Sequence, residues 1–470
     1  MPSFALQLSQ NKYLAPRDDR MDVVLTVRAA GTGATAAAPP QTAELLLVDC
    51  SSSMDWPPTK IEAARHACRV AVDTLRDGVL FGVVEGTRQA RLVYPAGPGL
   101  AVADERTRQE AKAAVSELIA GGGTAMSTWL DLARELFGAT PAVIRHAVLL
   151  TDGRNQSEPP AALAAALDRC RGEFACDARG IGDDWEPRDL QLIASVLRGS
   201  ADAVLEDAEL AADFRRLVAQ AMGRTLPDLR LRMTTMPYAR LRFVKQVHPA
   251  EVELTAQCRA EGGVTELPTG AWGDEQREYH LCLDVDTAEL TRNEDRLLGT
   301  VALAEGADVV VAEPQPVVGY LTDDLALSSV PDENVARVTG QAELGRAVRA
   351  GWEAFERDDR AEAGREWATA VRLATELGNA EVLKRLGRLV DVRADGTVAV
   401  KDGVRPRDGF SLVLGSTIST FSGSVAEPAP PARSDEGGVP RQCVRCGHHA
   451  RPSAKRCGRC GEPFETGAVS

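Results

Sequence analysis

The run LLLVDCSSSM, from Leu45 to Met54, constrains the fold more than any other stretch of the chain. An apolar strand ends in Asp49, and Ser51 and Ser53 follow at alternate positions. A carboxylate and two hydroxyls at i, i+2 and i+4, just past a buried strand, put three small oxygen donors on one turn. That is a hard-oxygen pocket suited to Mg²⁺ or a similar cation. A second apolar strand, AVLLTDG (147–153), ends in Asp152 and Gly153, and GGGTAM (121–126) offers Thr124 after a flexible glycine run. In an open parallel α/β sheet the ligand crevice lies outside the carboxyl ends of the strands, so loops distant in sequence converge there. Asp49, Ser51, Ser53, Thr124 and Asp152 are therefore expected to form one site. Taken singly, a TDG turn is often a plain strand exit and a Ser-rich loop often caps a helix. The conjunction of all three carries the assignment.

The sequence around these motifs alternates strand and helix. ELLLVD is followed by a helix from about Lys60 to Arg76, then GVLFGVVEG, a hairpin-like ARLVYPA and a helix through Glu105 to Ile119. Beyond Thr124 come a helix to about Phe137, strand HAVLLTD, helix AALAAALDRC, strand FACDARGIG, helix LQLIASVL, strand ADAVLE and helix ADFRRLVAQAM. Strands separated by helices of this length predict parallel βαβ packing and a doubly wound, Rossmann-like α/β fold.

Residues 42 to 222 resemble the von Willebrand factor A family. Its metal-ion-dependent adhesion site is written DxSxS, then Thr, then Asp in a TDG-type loop, and all three stand here in the family's order. RGIGDDW, Arg179 to Trp185, also looks like the turn after the family's fifth strand. The resemblance implies a cation, Mg²⁺ or alternatively Mn²⁺ or Ca²⁺, held by the five side chains, some through water. One coordination position stays open for an Asp or Glu of a protein partner. Recognition rather than turnover is the use so implied.

Enzymatic readings find little purchase. No GxSxG elbow, GxxxxGK[ST] loop, HExxH helix or GxGxxG turn is present, and the six His residues show no ligand or triad spacing. Cys50, inside the metal loop, is expected to face the strand core, as cysteine often does. A net charge of −14 argues against a chain-wide nucleic-acid surface. The N-terminus does not read as a signal peptide, and no stretch approaches the roughly 18–20 apolar residues that cross a bilayer. A cytoplasmic adaptor with no membrane contact is the expectation.

Flanking segments suggest further units. Period-two patterning at Phe4, Leu6, Leu8 and at Val23, Leu25, Val27 returns from about Leu226 to Val318, predicting an antiparallel β-sandwich that residues 1–28 complete. AAGTGATAAAPP (29–40) reads as a small-residue linker. The boundaries so drawn are 1–40 for the N-terminal strands and linker, 41–224 for the α/β domain, 225–320 for the sandwich and 321–392 for a helical hairpin region. A flexible linker (393–440) and a zinc ribbon (441–465) follow. GWEAFERDDRAEAGREWATAVRLATELGN resembles one tetratricopeptide-type hairpin, which cannot bury its face alone and should pack on a neighbouring domain.

In LGSTISTFSGS, Thr417, Ser419 and Thr420 are expected in an exposed strip, either a polar tail or a target of a Ser/Thr kinase read by a phosphothreonine-binding protein. Cys443, Cys446, Cys457 and Cys460 form two CxxC pairs ten residues apart, each followed by Gly, the spacing of a closed, structural Zn²⁺ site. The basic residues around them, Arg441, Arg445, Arg451, Lys455, Arg456 and Arg459, favour contact with an acidic protein surface over nucleic acid, because Phe464 is the lone aromatic for base stacking. Two functions are therefore expected: an adaptor in kinase signalling, or an accessory subunit of a separate AAA+ (MoxR-type) ATPase.

Overall fold

The computed structural model describes residues 2–34, 41–306, 309–393, 397–418, 441–442, 444–445 and 449–450. The apolar runs become the strands of a mostly parallel sheet. Its order is Ala201–Val204, Ala175–Ile181, Ile144–Thr151, Thr42–Asp49, Leu80–Gly86, Arg91–Tyr94, with Ala101–Val102 also pairing to Leu80–Gly86. The first five strands run parallel and Arg91–Tyr94 runs antiparallel at the edge. Every residue of Thr42–Asp49 is buried, because helices cover both faces. On one side Leu45, Leu47 and Leu149 meet Trp129, Leu130, Leu163 and Ile193. On the other, Leu46, Val48 and Leu150 meet Ala64, Cys68, Phe214 and Leu217.

From Thr42–Asp49 the chain passes first to Leu80–Gly86 on one flank and later to Ile144–Thr151 on the other. The order of the strands therefore reverses between the two strands that end in the Asp49 and Asp152 motifs. A ligand crevice opens at such a switch point because the connections leave in opposite directions there.

A second core lies between two sheets. One has the order Ser3–Gln10, Arg20–Ala30, Glu275–Val285, Ala239–His248, Val252–Glu253. The other runs Arg259–Glu261, Val264–Trp272, Leu226–Thr235, Asp295–Glu305, Gln315–Leu321, Tyr13–Leu14. Val23, Leu25 and Val27 point with Leu229, Leu231, Leu303 and Trp272 into this shared core, as period two requires. Arg20–Ala30 lies between Ser3–Gln10 and Glu275–Val285, antiparallel to both, so strands on either side of the α/β unit in sequence share one sheet.

Helices Glu333–Glu356, Arg360–Glu376, Ala380–Leu389 and Pro406–Gly415 bind the two units together. Val335 and Val338 pack on Val24 of the sheet, and Arg337 donates to Glu278 at 2.7 Å. Farther along the same helix, Trp352 meets Phe410 at 5.5 Å between ring centroids, and Phe410 in turn meets Trp185 of the α/β unit at 4.8 Å.

Two sequence expectations need correction. Residues 397–418 are not part of a structureless linker. Val398–Val400 pairs with Val390–Val392, and Pro406–Gly415 is a helix with Phe410, Leu412, Val413 and Leu414 buried. Its polar residues lie mostly in the first turn and its apolar ones in the last, so ten residues are too few to show a recurring apolar stripe. Nor is Thr417 on an exposed strip. It is half-buried, its hydroxyl donates to the Leu414 carbonyl at 2.7 Å, and its own carbonyl accepts from the Glu251 N–H. Ser419, Thr420 and the four cysteines Cys443, Cys446, Cys457 and Cys460 lie outside the described residues. No described helix is long and apolar enough to cross a membrane.

Candidate metal-ion site

The crevice is built from three loops stitched by backbone hydrogen bonds. Gly121 donates to the Cys50 carbonyl at 2.7 Å, Ser52 donates to Gly122 at 3.0 Å, and Ser157 donates to Thr124 at 3.0 Å. Gly122 lies in the left-handed region at φ 91°, which a side chain would oppose. The helix Met126–Gly138 begins beside Thr124 with no cap of its own. Asn155 and Glu158 of the loop after Asp152 supply the cap, accepting from the N–H groups of Met126 at 3.0 Å and Ser127 at 3.1 Å. That bond pattern ties the loop carrying Thr124 to the loop carrying Asp152.

All five expected ligands meet in this crevice. Asp49, fully buried, accepts the Ser51 N–H on Oδ1 at 2.7 Å and the Thr151 hydroxyl on Oδ2 at 2.6 Å. The Ser51 and Ser53 hydroxyls are 2.8 Å apart, and Ser53 donates to Asp152 Oδ1 at 2.6 Å. Gly153 shows how tightly the oxygens converge. A Cβ added to it would stand 2.9 Å from Ser53 Oγ, 3.3 Å from Thr124 Oγ1 and 3.7 Å from Ser51 Oγ. Three hydroxyl oxygens thus surround one small volume that glycine leaves free, with Asp49 and Asp152 hydrogen-bonded to the same loop through the Ser51 N–H and the Ser53 hydroxyl. Burial pushes the Asp49 carboxyl up to about 6, against the hydrogen bonds from Thr151 and Ser51 that hold it down. A carboxylate confined among neutral hydroxyls in this way is stabilised by a cation.

The donor set suits a hard divalent ion. Mg²⁺ prefers oxygen ligands and retains waters, which two carboxylates and three hydroxyls allow. Among the described residues no group of three or more His, Cys, Asp or Glu side chains comes together as a metal site, so a soft-metal site of that kind is absent there. Cys50 sits fully buried in the core behind the loop, and burial pushes its thiol well up. Thiols buried in apolar surroundings in this way are typically inert.

Lys60 and His146, like Asn155 and Glu158, had no sequence signal. Lys60, buried near the start of Thr59–Thr74, places Nζ 2.6 Å from Asp152 Oδ2 and 3.3 Å from the Ser53 carbonyl. His146 lies at the opposite end of the same sheet, between Glu44 at 2.8 Å and Asp177 at 2.8 Å. Burial alone would lower its pKa, but the two carboxylates overcome this and raise it to about 9. With both ring nitrogens engaged and the ring buried, His146 serves as a structural cation rather than a general base.

Comparison with known proteins bears on the family and the fold. Residues 45–203 match the profile of the von Willebrand factor type A domain. A solved structure described as von Willebrand factor type A from Catenulispora acidiphila is 38% identical, with a TM-score of 0.83, covering 90% of this chain and 98% of that one. The ArnB paralogue VWA2 from Sulfolobus acidocaldarius, at 13% identity and a TM-score of 0.54, shares the fold over 89% of this chain and 98% of its own. An uncharacterized protein of Synechocystis is 28% identical over 256 residues, which is 51% of this chain, and the chain spans about half of that curated relative's length, 56%. The chain belongs to the von Willebrand factor type A family.

Proposed function

We propose that this protein is a metal-dependent protein–protein interaction adaptor. Its five-ligand site would hold Mg²⁺, or Mn²⁺ or Ca²⁺, and an Asp or Glu of a partner protein would complete the coordination. The von Willebrand factor type A domain commonly mediates protein–protein contacts through a metal-ion-dependent adhesion site. The observation that carries the reading is the convergence of the Ser51, Ser53 and Thr124 hydroxyls around Gly153, in front of two carboxylates. A fixed ring of hydroxyls with few formal charges binds the cation while leaving it electrophilic enough to attract one more carboxylate. Trp56 and Ile119, 79% and 72% exposed on the loops that bear Ser53 and Thr124, supply apolar contact for residues flanking that acid.

The remaining parts of the proposal rest on sequence. Cys443, Cys446, Cys457 and Cys460 would bind one structural Zn²⁺, which metal analysis of the purified protein checks: about one zinc per chain, lost in a Cys443→Ser, Cys446→Ser variant. The setting proposed is the cytoplasm, in Ser/Thr kinase signalling. Pull-downs from native lysate with wild type and Asp49→Ala, each in Mg²⁺ and in EDTA, test the central claim. Partners captured only by metal-loaded wild type support it, and identical lists sink it. Recovery of an AAA+ ATPase in that lane would replace the kinase setting with the accessory-subunit role. Trp56→Ala is expected to weaken capture about tenfold while leaving Mg²⁺ affinity, read by calorimetry, unchanged.

A further inference from the structure

We propose that Lys60 is a built-in cation that sets the charge of the metal site: it weakens divalent-ion binding, and it makes the loaded site demand an anionic ligand. The inference rests on the metal-site reading above and deepens it.

Burying a lysine ammonium is costly unless it is paired and hydrogen-bonded. Here two oxygens of the site accept from it. Asp152 Oδ2 lies 2.6 Å away and the Ser53 carbonyl 3.3 Å away. Room for the stem comes from Gly182, in the loop after Ala175–Ile181 at φ 72°, where a Cβ would stand only 3.1 Å from Lys60 Cε and 3.4 Å from Nζ. Lys60 also occupies the first turn of a 16-residue helix, whose dipole disfavours a cation there, so its place is set by Asp152 and not by the helix. Both oxygens of Asp152 are consequently engaged, Oδ1 by Ser53 and Oδ2 by Lys60.

The charges decide the consequence. Among the described residues, Asp49, Asp152 and Lys60 are the buried charged groups at the site. Before a metal binds, two carboxylates and one ammonium leave one net negative charge. A divalent ion turns this into one positive charge, and a partner's carboxylate returns the site to neutrality. With a neutral residue at position 60, the metal alone would balance the two carboxylates, and an added carboxylate would leave an uncompensated negative charge in a buried setting. Lys60 therefore trades metal affinity for carboxylate selectivity. In addition, it satisfies Asp152 in the metal-free protein, so the loops persist without the ion.

The test uses the full chain, Mn²⁺ as the metal probe read by electron paramagnetic resonance, and acetate as the carboxylate probe read by water relaxation at the bound Mn²⁺. Lys60→Gln keeps a donor to Asp152 without the charge, and Lys60→Arg keeps the charge. We expect Lys60→Gln to bind Mn²⁺ about tenfold more tightly and acetate several-fold more weakly, with Lys60→Arg tracking wild type on both. Should Lys60→Gln fail to fold, Lys60→Met reads the same two quantities, and folding that requires Mn²⁺ supports the proposal. Mn²⁺ affinity in a folded, uncharged variant equal to or weaker than wild type overturns it. Wild type that binds no Mn²⁺, or an Asp49→Ala variant that binds equally well, would instead overturn the metal-site reading itself.

Discussion

Gly153 holds open the volume in which a cation would sit, and the cost of filling it can be stated directly. A methyl group there would stand 2.9 Å from Ser53 Oγ and 3.3 Å from Thr124 Oγ1, displacing the hydroxyls from a common centre. Gly153→Ala is expected to lower Mg²⁺ affinity about 100-fold in calorimetry while far-UV circular dichroism stays unchanged, since misplaced ligand shells typically cost 10–100-fold. His146 supports a prediction about pH. Its pKa in the folded protein is raised to about 9 from an ordinary 6.5, so its contribution is complete below about 6.5 and is lost as pH rises toward 9. Asp177, held well below its ordinary 3.8 chiefly because His146 donates to it and outweighs the cost of burial, contributes above that value and fails in acid. Urea unfolding should therefore show greatest stability in mildly acidic solution, with a loss on the order of 3 kcal/mol between pH 6.5 and 9. A flat profile across that interval would remove His146 as the cause. His146→Ala is expected to lower stability at pH 6, because Asp177 loses the ring that donates to it and Glu44, whose carboxyl burial already pushes up, loses its buried partner.

At the scale of elements, Pro406–Gly415 is the piece whose role is least evident from its length. A Cβ on Gly409 would fall 1.9 Å from the Trp352 ring, so glycine is what lets the helix lie flat against Glu333–Glu356. Gly409→Val is expected to lower stability by about 1–3 kcal/mol or more through overpacking, read as a shift in the urea midpoint with little change in slope. The helix Met126–Gly138 illustrates the reverse dependence: a regular element whose N-terminus is satisfied from another loop, by Asn155 and Glu158. Its sequence start gave no cap because Ala125 cannot provide one.

For the whole molecule, the chain order matters more than any single contact. Arg20–Ala30 lies inside a five-stranded sheet whose remaining strands come mostly from beyond residue 238. A protein beginning at residue 41 would expose the paired edge of Glu275–Val285 and the apolar residues that face Val23, Leu25 and Val27. We expect that truncation to be recovered as aggregate, whereas a soluble product with an unchanged melting temperature would show that the sheets do not depend on the N-terminal strands. Arg385, reaching from Ala380–Leu389 to Asp202 at 2.8 Å, joins the helices to the α/β unit at a distance of 183 residues in sequence.

What the sequence determined by itself was local: apolar runs long enough to be buried strands, helices between them, and oxygen donors placed where those strands end. Asp49, Ser51, Ser53, Thr124 and Asp152 were legible because each sits at a fixed offset from a strand terminus or a glycine run, and parallel topology brings such termini to one edge. Lys60, Asn155, Glu158 and the Glu44–His146–Asp177 cluster were not legible, since each acts through a neighbour 29 to 102 residues away and ordinary charged or polar residues carry no mark of such pairing. The helix near residue 410 was missed for a different reason, ten residues being too few to show a recurring apolar stripe. Only the tertiary structure decided the charge balance around Asp49 and Asp152, because the sign and depth of a buried charge depend on which groups the fold brings within a few ångströms of it.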